Sequence, residues 1–177
     1  LMDFLEKNLG SNRTYLIDHY LAKDLVRNLI TLRFANPAFE NLWCSNFVER
    51  IQIDTSESVG IEKRAEYYEK SGAIKDMVQN HVLQVLSLVT MEQPDRLNAS
   101  SFQLEKLKIL DKIRMFEGKF ENNIEIGQYK GYLDEPGVVE RSLTETFVSM
   151  NLEVNTKRWQ GVILGISTGK KLEKKQT

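Results

Sequence analysis

Residues 73–91 read AIKDMVQNHVLQVLSLVTM, and this stretch decides how the rest of the chain is arranged. Apolar residues and one histidine recur in it at the i, i+3, i+4, i+7 spacing of one helical face. They are Ile74, Met77, Val78, His81, Val85 and Leu88. Val82, Leu86 and Val89 extend the apolar surface almost all round. Because such a helix has no face suited to water, we predict a deeply buried helix from Ala73 to Met91.

Three further helices are predicted around this one, over residues 3–9, 18–34 and 100–115. The helix over 18–34 carries Leu21, Leu25, Leu29 and Leu32 at helical spacing. The sequence Asn36-Pro37 then ends it, because a residue before proline is disfavoured in helical conformation. In the helix over 100–115, Ser100 and Gln103 have the spacing of a capping box.

Alternating patterns predict strands over residues 47–53, 146–154 and 159–166. The last two follow all the predicted helices. Helices first and strands after are typical of an α+β fold, in which helices pack on a largely antiparallel sheet. The basic run at residues 170–176 follows as a tail.

Composition excludes several classes of protein. The 177 residues are 41% hydrophobic and 28% charged, with a net charge of −1, which is the balance of one ordinary globular domain. Neither nucleic-acid binding nor a membrane span is indicated. Cys44 is the only cysteine, so an internal disulfide is impossible and a zinc site is not expected. No GxGxxG run occurs, and Thr168-Gly169-Lys170 lacks the upstream glycine of a phosphate loop.

The chain has two histidines, and His81 admits two interpretations. It is either a core histidine held by one hydrogen bond or a general base, since imidazole titrates near neutral pH. A base needs a carboxylate to orient its ring. Asp76 lies five residues earlier, about 140° around an α-helix, so we predict that the orienting acid comes from elsewhere.

His19 and Lys23 are four residues apart at the start of a predicted helix, which places them on one face. The free N–H groups and dipole of a helix N-terminus favour phosphate, and Tyr20 adds a hydroxyl donor. The alternative is that Asp18 caps the helix while Lys23 is solvated. The pattern leaves both open, and Lys170 is likewise either an anion ligand or part of a solvated tail.

Residues 17–24, IDHYLAKD, closely resemble the Arg-Ile-Asp-His-Tyr-Leu-Gly-Lys-Glu signature of glucose-6-phosphate dehydrogenases. Further stretches similar to that family follow in the same order. They are NLITLRFAN (28–36), DMVQNHVLQ (76–84), GQY (127–129), TETF (144–147), RW (158–159) and TGK (168–170). The resemblance covers almost the whole chain, and ordered motifs over this length are far more specific than any single one.

The resemblance implies a role for each matching residue. His81 corresponds to the family's general base and Asp18 to the carboxylate that partners it. The other matching positions bind the sugar phosphate or its hydroxyl groups. They are His19, Tyr20, Lys23, Glu57, Asp76, Lys170 and Lys175.

The activity implied is oxidation of glucose 6-phosphate to 6-phosphogluconolactone with hydride transfer to NADP, the first step of the pentose phosphate pathway. His81 would take the proton of the C1 hydroxyl, and Asp18 would stabilise the imidazolium. The family's NADP-binding domain has no counterpart here and the first residue is not Met, so we expect residues 1–177 to be a single partial domain, inactive alone. The resemblance also implies a cytoplasmic homodimer or homotetramer formed through the sheet.

The sequence departs from the family pattern at a few positions. Leu16 stands for the usual arginine, Ala22 for a glycine, and Lys63 and Ala65 replace two glycines of a loop. Near the end of the chain Ile163 and Ser167 replace a proline and an arginine. These changes bear on rate and affinity more than on reaction type. Two other functions remain open: a non-catalytic sugar-phosphate-binding or dimerisation module, and an aldose-phosphate isomerase that uses His81 as base.

Overall fold

The computed structural model describes residues 4, 7–8, 17–118 and 123–173. The α-helices are α1 (Asp24–Phe34), α2 (Pro37–Leu42), α3 (Ala65–Ala73), α4 (Leu83–Thr90) and α5 (Ala99–Leu110), with a π-helix (Ile74–Val82) between α3 and α4. The strands are β1 (Arg50–Ser56), β2 (Ile113–Met115), β3 (Ile124–Gly127), β4 (Phe147–Val154) and β5 (Ile163–Gly169). Short 3-10 helices lie at Tyr132–Asp134 and Lys157–Trp159. The predicted α+β fold is confirmed.

The five strands form one mixed sheet in the order β1-β5-β4-β2. β4 pairs antiparallel with β5 on one side, and on its other side with β3 at residues 147–150 and β2 at residues 152–154. β1 and β5 are parallel, with Ser56 opposite Gly169. The sheet is therefore largely antiparallel, as predicted, with one parallel pair whose two C-terminal ends meet.

The buried helix predicted over residues 73–91 is present, but its central part is a π-helix rather than an α-helix. Helical structure begins earlier, at Ala65, and a break at Gly72 separates α3 from the π-helix. Val78, Val82 and Leu86 are buried with residues of β4 and β5 in the main core, and Met77 is also buried. Hydrogen bonds in a π-helix join residues five apart, so Asp76 and His81 lie one turn apart on the same side. The expected separation of 140° is thus wrong.

The helix predicted from Asp18 begins only at Asp24. Residues 18–23 form turns, because a carboxylate oxygen of Asp18 accepts hydrogen bonds from the backbone N–H groups of Tyr20 (2.8 Å) and Leu21 (3.4 Å). The leucine stripe is not the buried face either. α1 buries Val26, Arg33 and Phe34, whereas Leu25 is 76% exposed.

Other predicted boundaries also shift. The third predicted helix ends at Leu110, and residues 113–115 are strand β2. Its N-cap is Asn98, whose side chain accepts from Ser101 N (2.9 Å), so Ser100 and Gln103 do not form the expected capping box. The first predicted strand lies three residues later, at Arg50–Ser56. For the helix predicted over 3–9, Phe4, Lys7 and Asn8 are helical, and the other positions lie outside the described residues.

A buried arginine, Arg33, joins α1 to the C-terminal end of α4. The Arg33 guanidinium donates to the carbonyls of Leu88 (2.8 Å) and Met91 (2.7 Å) and is paired with Glu40 (2.8 Å). Carbonyls at a helix C-terminus have no N–H partner within the helix, so Arg33 supplies the donors for these two. Arg158 adds a second contact to Glu40 (2.6 Å). In the part of the chain that the structure describes, no helix is long and apolar enough to cross a membrane.

Candidate active site

His81 and Asp18 meet although 63 residues separate them in sequence. Asp18 Oδ2 lies 3.1 Å from His81 Nδ1, while Asp18 Oδ1 is held by the backbone N–H groups of Tyr20 and Leu21. The two side chains are largely buried. An Nδ1–H donated to the carboxylate selects the tautomer in which Nε2 is the proton acceptor. This geometry is that of an oriented general base.

Aromatic rings surround the His81 imidazole. The His81 ring centroid is 4.7 Å from that of His19, edge to face, and 4.8 Å from that of Tyr20, stacked. The Lys23 ammonium lies 4.0 Å from the centroid of the Tyr20 ring, which is a cation–π distance. The turn at residues 18–23 therefore gathers two rings and a cation beside His81.

The parallel pairing of β1 and β5 builds a second part of the site. Because Ser56 lies opposite Gly169, the next residues along, Glu57 and Lys170, leave the sheet side by side. Glu57 N donates to Gly169 O (2.9 Å), and the Lys170 ammonium pairs with the Glu57 carboxylate. Lys170 is only 3% exposed, so it is not the solvated start of a tail. The Tyr68 ring lies 5.2 Å from its Nζ.

Asp76 projects from the first turn of the π-helix and accepts a hydrogen bond from the Tyr67 hydroxyl at 3.0 Å. Tyr67 belongs to α3, on the other side of the break at Gly72. Sequence reasoning did not single out Tyr67. The adjacent tyrosines at positions 67 and 68 were a usable signal, because a phenol is a common partner for a carboxylate that must keep one orientation.

Charges at the site converge on Tyr20. Burial raises the pKa of the Tyr20 phenol, and the negative charges of Glu57, Asp76 and Asp18 raise it further. The phenol therefore remains a hydrogen-bond donor throughout the neutral range. Three carboxylates, a donor phenol and the ammonium groups of Lys23 and Lys170 are complementary to a ligand that carries both hydroxyl groups and an anion.

A third lysine, Lys106 of α5, reaches the same region and was not predicted. Its ammonium donates to the side-chain oxygen of Gln84, one turn after His81. Burial lowers the pKa of Lys106, and the nearby negative charge of Asp18 opposes that shift. Its only sequence signal was a lysine within an amphipathic helix, which is usually solvated.

Asp18, His19 and His81 each place a potential metal-ligand atom within 4.8 Å of the other two. One pair in this cluster, Asp18 with His81, already has hydrogen-bonding geometry. A hydrogen bond between carboxylate and imidazole is enough to account for that contact. Two other positions from the sequence analysis, Leu16 and Lys175, lie outside the described residues.

The chain is similar to known proteins over most of its length. Residues 30–177 match the family profile described as glucose-6-phosphate dehydrogenase, C-terminal domain. The chain is 44% identical over 177 residues to a glucose-6-phosphate 1-dehydrogenase of Aggregatibacter actinomycetemcomitans and 43% identical to one of Bacillus subtilis. These alignments cover 94% of this chain and 36% of either relative, so the chain spans about a third of their length.

Solved structures of glucose-6-phosphate dehydrogenases also match this chain. A glucose-6-phosphate dehydrogenase in complex with its substrate glucose 6-phosphate matches 98% of this chain and 37% of its own, with a TM-score of 0.86 and 34% identity. The Mycobacterium avium glucose-6-phosphate 1-dehydrogenase matches 96% of this chain and 37% of its own, with a TM-score of 0.82 and 37% identity. The chain is therefore a member of the glucose-6-phosphate dehydrogenase family and corresponds to its C-terminal domain.

Proposed function

We propose that this chain is the sugar-phosphate-binding and proton-abstracting part of an NADP-dependent glucose-6-phosphate dehydrogenase. The observation that carries the proposal is the contact between Asp18 Oδ2 and His81 Nδ1 at 3.1 Å, inside a cluster of lysines and carboxylates. The substrate would be glucose 6-phosphate and the product 6-phosphogluconolactone. A relative of known structure binds that sugar phosphate, which supports the choice of ligand.

The proton transfer follows from the orientation of the imidazole. His81 Nε2 accepts the proton of the C1 hydroxyl as the C1–H bond breaks with loss of hydride, which leaves a C1 carbonyl. The imidazolium formed in this step is stabilised by Asp18, 3.1 Å from its other nitrogen. Because two backbone N–H groups hold the opposite oxygen of Asp18, the carboxylate does not turn away during the reaction.

The remaining groups place C1 against His81. His19, Tyr20 and Lys23 would bind the phosphate, which has charge and acceptor oxygens to match them. Glu57 and Asp76 would accept hydrogen bonds from sugar hydroxyl groups, and Lys170 has two further N–H donors beyond its contact with Glu57. Binding energy from the phosphate then serves to align the reacting carbon.

NADP is the hydride acceptor that family membership implies. This sequence has no glycine-rich dinucleotide turn, so its own residues are not fitted to hold the nucleotide. We therefore assign only sugar binding and base catalysis to this chain. Assembly into a cytoplasmic homodimer or homotetramer through the sheet remains part of the proposal.

Isothermal titration of this chain with glucose 6-phosphate, with glucose as the control ligand, tests the proposal. Binding should require the phosphate and should weaken about tenfold or more in Lys23→Ala, because a charge-assisted contact of about 1.5–3 kcal/mol is lost. Lys112→Ala removes an exposed lysine between α5 and β2 and should leave the affinity unchanged. A folded chain that binds neither ligand would instead favour the non-catalytic dimerisation module.

A further inference from the structure

The helix that carries Asp76 and His81 begins at a forced break. Gly72 adopts φ 62° and ψ −179°, a conformation that is open essentially to glycine alone. A side chain there would also collide with the carboxylate of Glu145. Because the chain leaves helical geometry at Gly72, the first N–H groups of the π-helix cannot all be satisfied by α3.

Glu145, on the loop before β4, supplies the missing acceptors. Its backbone carbonyl accepts from Ala73 N at 2.9 Å, and its carboxylate Oε1 accepts from Ile74 N at 2.9 Å. This is an N-cap provided from 71 residues away, and a negative charge at this end also complements the helix dipole. Asp76 lies only two residues beyond the capped N–H of Ile74.

The same loop contacts the opposite part of the site. Thr146 is buried, and its carbonyl accepts from Lys170 N at 2.9 Å. Thr144 Oγ1 donates to the carbonyl of Glu69 in α3 at 3.3 Å. Three consecutive residues thus touch α3, the start of the π-helix and the backbone of Lys170.

We propose that Glu145 is a positioning residue that fixes where Asp76 and His81 stand relative to Lys170. The inference rests on the proposed function and deepens it by naming what sets the width of the sugar site. The phosphate ligands Lys23 and His19 belong to the turn before α1, outside this contact. Loss of the Glu145 side chain should therefore weaken recognition of the sugar more than recognition of phosphate.

The test uses this chain with Glu145→Ala and Glu145→Gln, and with Glu140→Ala as the matched control, an exposed carboxylate of the same loop. Ligands are glucose 6-phosphate by calorimetry and inorganic phosphate by NMR titration. Glu145→Ala should weaken glucose 6-phosphate binding about tenfold and accelerate exchange of the Ile74 amide about tenfold, the effect of losing one cap. Its phosphate affinity should not change. Glu145→Gln should stay close to the parent chain, because the amide oxygen still accepts from Ile74 N.

Each outcome is decisive. Unchanged glucose 6-phosphate affinity in Glu145→Ala, with the Ile74 amide exchanging faster, would overturn the positioning role and leave a purely structural cap. Equal losses for both ligands would overturn it as well. A parent chain that is folded but binds no glucose 6-phosphate overturns the proposed function itself, and does so before any variant is measured. If Glu145→Ala does not fold, Glu145→Asp replaces it, since a carboxylate shorter by one methylene should give the same selective loss.

Discussion

The His81 helix, which comprises the π-helix and α4 over residues 74–90, has an apolar repeat similar to that of α1, but the two helices differ in how far that repeat is buried. Val78, Val82, Leu86 and Leu88 of the His81 helix are buried in one core with residues of β4 and β5, and Leu86 has no exposed surface. In α1, the leucines at positions 25, 29 and 32 face an open cleft of about 760 Å³ between this helix and β1. Periodicity thus identifies which face of a helix is apolar, whereas burial depends on what the rest of the chain places against that face.

The largest expected change in stability comes from substituting Arg33, which joins α1 to the end of the His81 helix. Arg33→Met should lower the free energy of unfolding by about 3–5 kcal/mol, because several buried carbonyls and Glu40 lose their donor together. Urea unfolding followed by the fluorescence of Trp43 and Trp159 measures it. Arg27→Met, at an exposed position of the same helix, should cost at most about 0.5 kcal/mol. Equal effects in the two variants would mean that Arg33 does not join the helices.

Leu86→Ala tests the buried side of the comparison. Leu86 is fully buried in the core that also holds Val82, Leu88 and residues of β4 and β5, so its truncation should cost about 2–5 kcal/mol from lost apolar contact and the cavity left behind. The slope of the urea transition should stay constant, which would show that the core remains cooperative. A cost below about 1 kcal/mol would contradict the burial of this helix.

These two helices also show how far the sequence alone leads. The buried helix, β4 and the α+β arrangement follow from periodicity, because their patterns are long. β2 and β3 have three and four residues, too few for a period to be recognised. The start of α1 was misplaced because the Asp18 carboxylate binds the backbone of Tyr20 and Leu21, and a propensity argument does not contain that local competition.

The candidate site also contains features that the sequence indicated and features that it did not. Spacing alone left His81 between a core residue and a base, and its pairing with Asp18 was expected only from the family resemblance. The position of Asp76 was misjudged because the helix was assumed to be α, and one π-helical turn brings residues five apart onto the same side. Glu145 was overlooked as a contact because it acts across 71 residues, a distance at which no local pattern gives a signal.

An alkaline titration compares a tyrosine from each region. Burial, the largest cause, raises the pKa of Tyr68 in α3 and of Tyr20 before α1. A phenol whose folded-state pKa is raised contributes stability that is complete below the unfolded pKa of about 10 and is lost as the pH rises above it. Unfolding free energies between pH 8 and pH 11 should therefore fall less steeply in Tyr68→Phe than in the parent chain.

Tyr20→Phe provides the comparison. The shift is larger for Tyr68, which is 1% exposed against 7% for Tyr20, so Tyr68→Phe should flatten the alkaline decline more. A steeper decline in either variant would contradict the direction of these shifts.

Leu25→Ser should have the smallest effect and tests the open side of the comparison most sharply. The Leu25 side chain is 76% exposed in the cleft beside β1, so its replacement removes little buried apolar surface. The free energy of unfolding should therefore change by no more than about 0.5 kcal/mol. Differential denaturation of the parent and the variant at several protein concentrations measures it. A loss above about 1 kcal/mol would mean that the cleft is covered in solution. If that loss grew with protein concentration, the cover would be a second copy of the chain, because only association depends on concentration. A loss independent of concentration would place the cover within the same chain, and the leucine stripe of α1 would then be a core face like that of the His81 helix.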